Sequence, residues 1–127
     1  MEDQKPMMEL RVPATMEHAL VVRMALSGAG MLAGLEVGLI DDLRTATDEC
    51  FDCLLHQAFE LKEVITTIHM EEGRLCCRFC AVPTQRPIAQ ASQDPEITRC
   101  ILETLLPEVR LSCDESGVSC ISFSMPV

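Results

Sequence analysis

The chain has 127 residues, near the commonest size of a single domain, with 48% hydrophobic and 24% charged side chains; this excludes a disordered chain and predicts one compact domain over residues 1–127. Only 3% of residues are aromatic, with no Trp and no Tyr, so the core must be aliphatic and base-stacking platforms for nucleic acid lack material. Twenty acidic against ten basic side chains give a formal charge of −10, which repels phosphate backbones and anionic lipid over about 8 Å at physiological salt and argues against nucleic acid and membranes as partners.

Met8 to Val12 alternate apolar and polar, which predicts a strand with Met8, Leu10 and Val12 on one face, ended by Pro13. Thr15 is the expected N-cap of a first helix over about Met16 to Ala29, with Leu20, Val21, Met24 and Gly28 at helical spacing. Gly28, Gly30 and Gly34 follow the pattern G-x-G-x-x-x-G and are preceded by a helix. A dinucleotide-binding loop needs G-x-G-x-x-G after a strand, so this segment is expected to be a frayed helix end and loop. Met24 to Leu35 is free of charge and falls short of the roughly 18 apolar residues of a membrane span. The start Met1-Glu2-Asp3 lacks the basic residues and apolar run of a secretory signal, so a cytoplasmic location is expected, with the eight cysteines as thiols.

Leu43, Ala46, Cys50, Leu54 and Ala58 recur in steps of three and four, a clean amphipathic stripe for a second helix from Leu39 to about Gln57. Leu61 to Met70 is rich in β-branched residues. Arg74 to Val82 alternates Leu75, Cys77, Phe79 and Ala81 against Cys76, Arg78 and Cys80, and Glu72-Gly73 supplies a tight turn between the two strands. Pro83 to Gln93 reads as a loop. Asp94-Pro95-Glu96 then opens a third helix that carries Ile97, Ile101, Leu102 and Leu105 and stops at Pro107. Val109, Leu111 and Cys113, then Val118, Cys120 or Ile121, and Phe123, flank Asp114-Glu115-Ser116-Gly117 as a closing hairpin. The order β-α-α-β-β-α-β-β, five strands and three helices, predicts an α+β fold, a two-layer sandwich with helices on one face of one sheet.

Glu49, Cys53 and His56, at i, i+4 and i+7, share one face of the second helix, beside Asp52, so this face can hold a general base or a metal, or be a plain solvated surface. His56 can in principle activate a cysteine, but no motif marks which one. The pairs Cys50/Cys53 and Cys77/Cys80 have zinc-knuckle spacing. Cys77 and Cys80, however, are an odd number apart on a predicted strand and point to opposite faces, and Cys50 belongs to the apolar stripe. No metal site is expected there, and most cysteines are expected to be small buried hydrophobes.

The run Asp42-Leu43-Arg44-Thr45-Ala46-Thr47-Asp48-Glu49-Cys50-Phe51-Asp52-Cys53-Leu54-Leu55-His56-Gln57-Ala58 resembles the N-box helix of the anti-sigma-factor serine kinases, switch kinases of the GHKL (histidine-kinase-like, Bergerat-fold) ATPase superfamily. Val12-Pro13-Ala14 with Val22-Arg23-Met24-Ala25-Leu26-Ser27-Gly28 is similar to the family's opening. Ile101 to Val109, followed by Asp114-Glu115-Ser116-Gly117-Val118, is similar to its last helix and hairpin. The resemblance implies a Bergerat-type fold, with Glu49 as the general base that activates an attacking hydroxyl and Cys53 at the asparagine position that binds Mg²⁺. A thiol is a poor ligand for that hard ion.

The family's adenine-binding Asp-x-Gly-x-Gly is replaced by Ala81-Val82-Pro83-Thr84-Gln85, and its glycine-rich phosphate lid by Asp94-Pro95-Glu96-Ile97-Thr98. The expectation is therefore a regulatory, protein-binding module with no cofactor and Glu49 vestigial. The alternative is an active serine kinase that uses ATP and Mg²⁺; a cysteine-based metal or redox protein is more remote. The implied partner is a sigma factor or an anti-anti-sigma protein, and the family commonly self-associates as a homodimer.

Overall fold

The computed structural model describes residues 7–57, 59–87, 95–114 and 117–127. They form β1 (Met8–Pro13), α1 (Met16–Ala33), α2 (Val37–Leu55), β2 (Phe59–Glu71), β3 (Arg74–Pro87), α3 (Pro95–Leu105), β4 (Glu108–Asp114) and β5 (Gly117–Pro126). The strands make one antiparallel sheet in the order β1-β2-β3-β5-β4, so the architecture is α+β as expected. Alternation along each strand sends Val12, Val64, Ile68, Leu75, Cys77, Phe79, Ile121, Phe123 and Met125 into the core, where they meet Leu43, Ala46, Cys50, Phe51 and Leu54 of α2. Three of the four phenylalanines join the layers. The Phe51 ring on α2 stands edge-on to Phe79 on β3 at 6.3 Å, and Phe79 lies 5.8 Å from Phe123 on β5, each such pair contributing about 0.5–1.5 kcal/mol beyond simple burial.

Three expectations are corrected. The first concerns α1, which continues four residues past Ala29 and buries Ala19, Val22, Leu26, Ala29 and Gly30, while Leu20, Val21 and Met24 face outward. Both faces of this helix are apolar, so spacing alone selects the wrong one. Gly28 and Gly30 lie inside the helix. Gly34, in the left-handed region, ends it: Leu35 N donates to Gly30 O at 2.9 Å and Gly34 N to Met31 O at 3.2 Å, the Schellman arrangement. A side chain at Gly30 would meet Leu35, Ile40 and Leu43, so its missing Cβ lets α1 approach α2 closely.

The second correction is to the stretch from Pro83, expected as a loop, whose residues to Pro87 continue β3, with Pro83 paired to Leu61 and Pro87 to Phe59 across a register shift. The rest of that stretch and Asp94, like Glu115-Ser116 of the closing turn, lie outside the described residues. The third concerns the cysteines. Cys80 and Cys120, directly opposed on β3 and β5 with Cα atoms 4.2 Å apart, are joined by a disulfide. Cys50, Cys53 and Cys77 are buried, Cys76 is half-buried, and Cys100 and Cys113 are exposed, so fewer than half of the eight are core hydrophobes.

Two local readings hold. Thr15 caps α1, its Oγ1 accepting from His18 N at 3.3 Å. Glu72 (φ 50°) and Gly73 (φ 75°) turn the β2–β3 hairpin through two residues with positive φ, the geometry that matches strand twist.

At the far end of α2, Gln57 is buried and ties helix to sheet: Nε2 donates to Cys53 O at 2.8 Å, and Oε1 accepts from Val118 N at 3.0 Å. Gly117 beside it has φ 107°, and a Cβ there would lie against Gln57 Oε1. Gly117→Ala should thus strain the backbone and displace a doubly bonded side chain, costing about 1–3 kcal/mol. Gly28→Ala fills open space on an exposed helix face and should gain up to about 1 kcal/mol. Thermal melts of the two variants should move in opposite directions by several degrees.

Candidate functional site

The carboxylates of α2 line its solvent edge and have different partners. Asp48 accepts from Arg23 Nη1 of α1 at 2.9 Å, a bridge that ties the first two helices. Asp52 lies 3.3 Å from His56 Nδ1, which also donates to the Asp52 carbonyl at 2.6 Å. His56 thereby closes the end of α2. Glu49 sits between the two aspartates, and no hydrogen bond or ion pair among the described residues holds it. Burial first, then the Asp52 and Asp48 charges, raise its pKa above the usual 4.5. An unpaired, partly desolvated carboxyl with a raised pKa is suited to accept a proton, the property a general base needs.

Cys53 does not share that surface. It is fully buried, so Glu49, Cys53 and His56 do not form one solvent-facing constellation as the spacing allows. α3 covers Cys53 with Thr98, itself fully buried and hydrogen-bonded to the thiol, while Gln57 Nε2 lies 3.7 Å from the sulfur. Burial dominates and pushes the Cys53 thiol up despite the Thr98 bond. Cys50 is pushed well above its ordinary value and Cys77 up to about 12, both chiefly by burial. Cys80 of the second pair is held in the disulfide.

Between the end of α2 and the β2–β3 ladder, Gln57, Phe59, Leu61, Ala81, Pro83 and Val118 enclose about 30 Å³ of free space. That is room for water, against roughly 300–1,000 Å³ for a ligand pocket.

Two features escaped the sequence reading. One is the outward face of α1, where Leu20, Val21, Met24, Met31 and Leu32 are exposed, Leu32 by 87%, with Val37 at the start of α2 exposed by 77%. Composition hinted at it, since Met24 to Leu35 carries no charge at all. The other lies on the uncovered face of the sheet, where His69, Glu71 and Cys76 converge.

The chain is 28% identical over 130 residues to the serine-protein kinase RsbW of Listeria innocua serovar 6a, an alignment that takes in 88% of this chain and 82% of that protein. No family model matches the chain. No helix among the described residues is long and apolar enough to cross a membrane.

The raised pKa of Glu49 has a consequence for stability. A carboxyl that binds its proton more tightly in the folded state loses stability as pH climbs from about 4.5 through the folded value. Glu49→Gln should therefore melt above the parent protein at pH 7, and the difference should shrink as pH falls below 4.5. Melting curves of both proteins across that range check it; a parent that stays the more stable at neutral pH would remove the strain assigned to Glu49.

Proposed function

We propose that this protein is a regulatory binding module of the anti-sigma-factor type, which acts by holding another protein and carries no ATP-dependent kinase activity. The observation that carries this reading is the state of Cys53. At the position where the resemblance calls for a Mg²⁺-binding asparagine stands a soft thiol, fully buried and covered by Thr98 of α3. The small space beside Ala81 and Pro83, where an adenine-binding motif is expected, supports the same reading. Phosphoryl transfer depends on positioning and on neutralising the phosphates, so a base at Glu49 alone has nothing to act on.

The expected partner is a sigma factor or an anti-anti-sigma protein, with a homodimer as a further mode of association. The apolar outward face of α1 is the kind of surface a partner helix covers. A formal charge of −10 favours encounter with a basic, DNA-binding protein over an acidic one.

The alternative, an active serine kinase, draws on two observations: the name of the RsbW relative and the raised pKa of Glu49. Thermal melting with MgATP separates the two. A nucleotide that bound only the folded state at about 100 times its Kd would add about 2.7 kcal/mol, several degrees in a domain of this size. Millimolar MgATP is expected to leave the Tm unchanged. A shift abolished by Glu49→Ala, or labelled phosphate on a serine of the partner, would establish the kinase instead.

A further inference from the structure

The uncovered face of the sheet carries a second cluster of chemistry-bearing side chains, remote from α2. The two-residue turn at Glu72-Gly73 sets the register of β2 against β3 so that His69 stands directly across from Cys76. Glu71, two residues beyond His69, projects from the same face of the strand. One carboxylate oxygen of Glu71, a ring nitrogen of His69 and Cys76 Sγ all lie within 4.8 Å of one another, and His69 Nε2 is 3.5 Å from Glu71 Oε2. We propose that His69, Glu71 and Cys76 form a binding site for a borderline-soft divalent cation of the zinc class.

The donor set selects that ion. Imidazole, carboxylate and thiolate are the three side-chain ligands zinc takes, at about 2.0–2.3 Å, which places neighbouring donors of a tetrahedron roughly 3.3–3.8 Å apart. The His69–Glu71 separation of 3.5 Å already matches such an edge. The sulfur needs to close by at most about 1.5 Å to complete the triangle, a change that side-chain rotation supplies. Mg²⁺ and Ca²⁺ call for an all-oxygen shell and are disfavoured by the thiolate. On binding, the Cys76 S–H bond breaks, its proton leaves to solvent and a metal–sulfur bond forms. Neutral imidazole with one thiolate and one carboxylate then balances the charge of the ion.

Three protein donors leave a fourth coordination position. The triad borders a hollow of about 490 Å³ on the sheet face, lined also by Ser124 and Glu108. Ser124 stands across from Cys76, and its hydroxyl donates to Glu108 Oε2 at 3.2 Å, so that carboxylate is already engaged. The fourth position is therefore open to water or to a ligand that enters the hollow, the arrangement of a reactive rather than a closed structural zinc site. Its donors are not those of the two C-x-x-C pairs. Six residues of sequence, from His69 to Glu71 and from Arg74 to Cys76, hold all three ligands through a hairpin.

Titration of the reduced, chelator-stripped full chain with Co²⁺ and with Zn²⁺ tests the site. One equivalent should bind, with a sulfur-to-cobalt charge-transfer band for Co²⁺. Cys76→Ser should abolish the band. His69→Ala and Glu71→Gln should weaken binding by more than about tenfold, the scale on which even outer-sphere partners of zinc ligands act. Glu71 is exposed and His69 and Cys76 are half-buried on the uncovered sheet face, and circular dichroism and melting should show each variant folded. Cys113→Ser and the double variant Cys80→Ser/Cys120→Ser should keep the site. Absence of stoichiometric binding by the parent chain would overturn the proposal, as would binding that survives both Cys76→Ser and His69→Ala, or binding lost only with another cysteine.

Discussion

The burial of one face of α2 on the sheet is the constraint from which the rest follows. Leu43, Ala46, Cys50, Phe51, Cys53 and Leu54 are all withdrawn from water on this helix, and Phe51 reaches Phe79 and through it Phe123. With only four phenylalanines and no larger ring in the chain, this short aromatic column is the bulkiest contact between the layers, set in aliphatic side chains worth about 1.5–3 kcal/mol each on full burial. The helix is held at its far end by Gln57, whose amide satisfies a backbone donor of β5 and a backbone acceptor of α2 at once. Near its start it is held by Gly30, whose missing side chain admits Leu35, Ile40 and Leu43. Rotation of α2 about its axis would break all three arrangements, so Asp48, Glu49 and Asp52 have no freedom in which way they face.

That rigidity explains what was legible in the sequence. Where one face of an element is apolar and the other is not, periodicity finds the buried side, as it does for α2, for Leu75, Cys77 and Phe79 of β3, and for the β2–β3 turn. It fails for α1 because Leu20, Val21 and Met24 are as apolar as Val22 and Leu26, and only the position of α2 decides between them. The added strand at Pro83 to Pro87 was hidden by prolines that strand edges tolerate. The disulfide was invisible for a different reason: Cys80 and Cys120 are 40 residues apart, and only the pairing of β3 with β5 brings them face to face. Of the α2 constellation, the sequence located Glu49 on the solvent edge but not the burial of Cys53, because Thr98 of α3, which covers it, follows 45 residues later in the chain.

The uncovered sheet face obeys a related rule. Polar residues on it stand in cross-strand rows, His69–Cys76–Ser124–Glu108 in one and Thr67–Arg78–Ser122–Arg110 in the next. Antiparallel register makes side chains neighbours that no local motif would join. The zinc-like spacing in the sequence, C-x-x-C, falls where burial and the disulfide withdraw the thiols. The donors that do converge are separated by a turn whose two positive-φ residues fix their register.

The helical side has its own division of labour. Charge and apolar surface lie on neighbouring helices: the acidic edge belongs to α2, the exposed apolar face to α1, and the Arg23–Asp48 bridge runs between them. For a protein that binds another, these two surfaces govern different quantities. Acidic residues steer a basic partner over distances set by salt and so act on the rate of encounter, while apolar contacts form only after docking and set how slowly the complex separates. A catalytic site at Glu49 would require that acidic edge to accept a polyphosphate, which Asp48 and Asp52 oppose by like charge. A binding surface has no such conflict, because the same carboxylates that repel phosphate attract lysine and arginine.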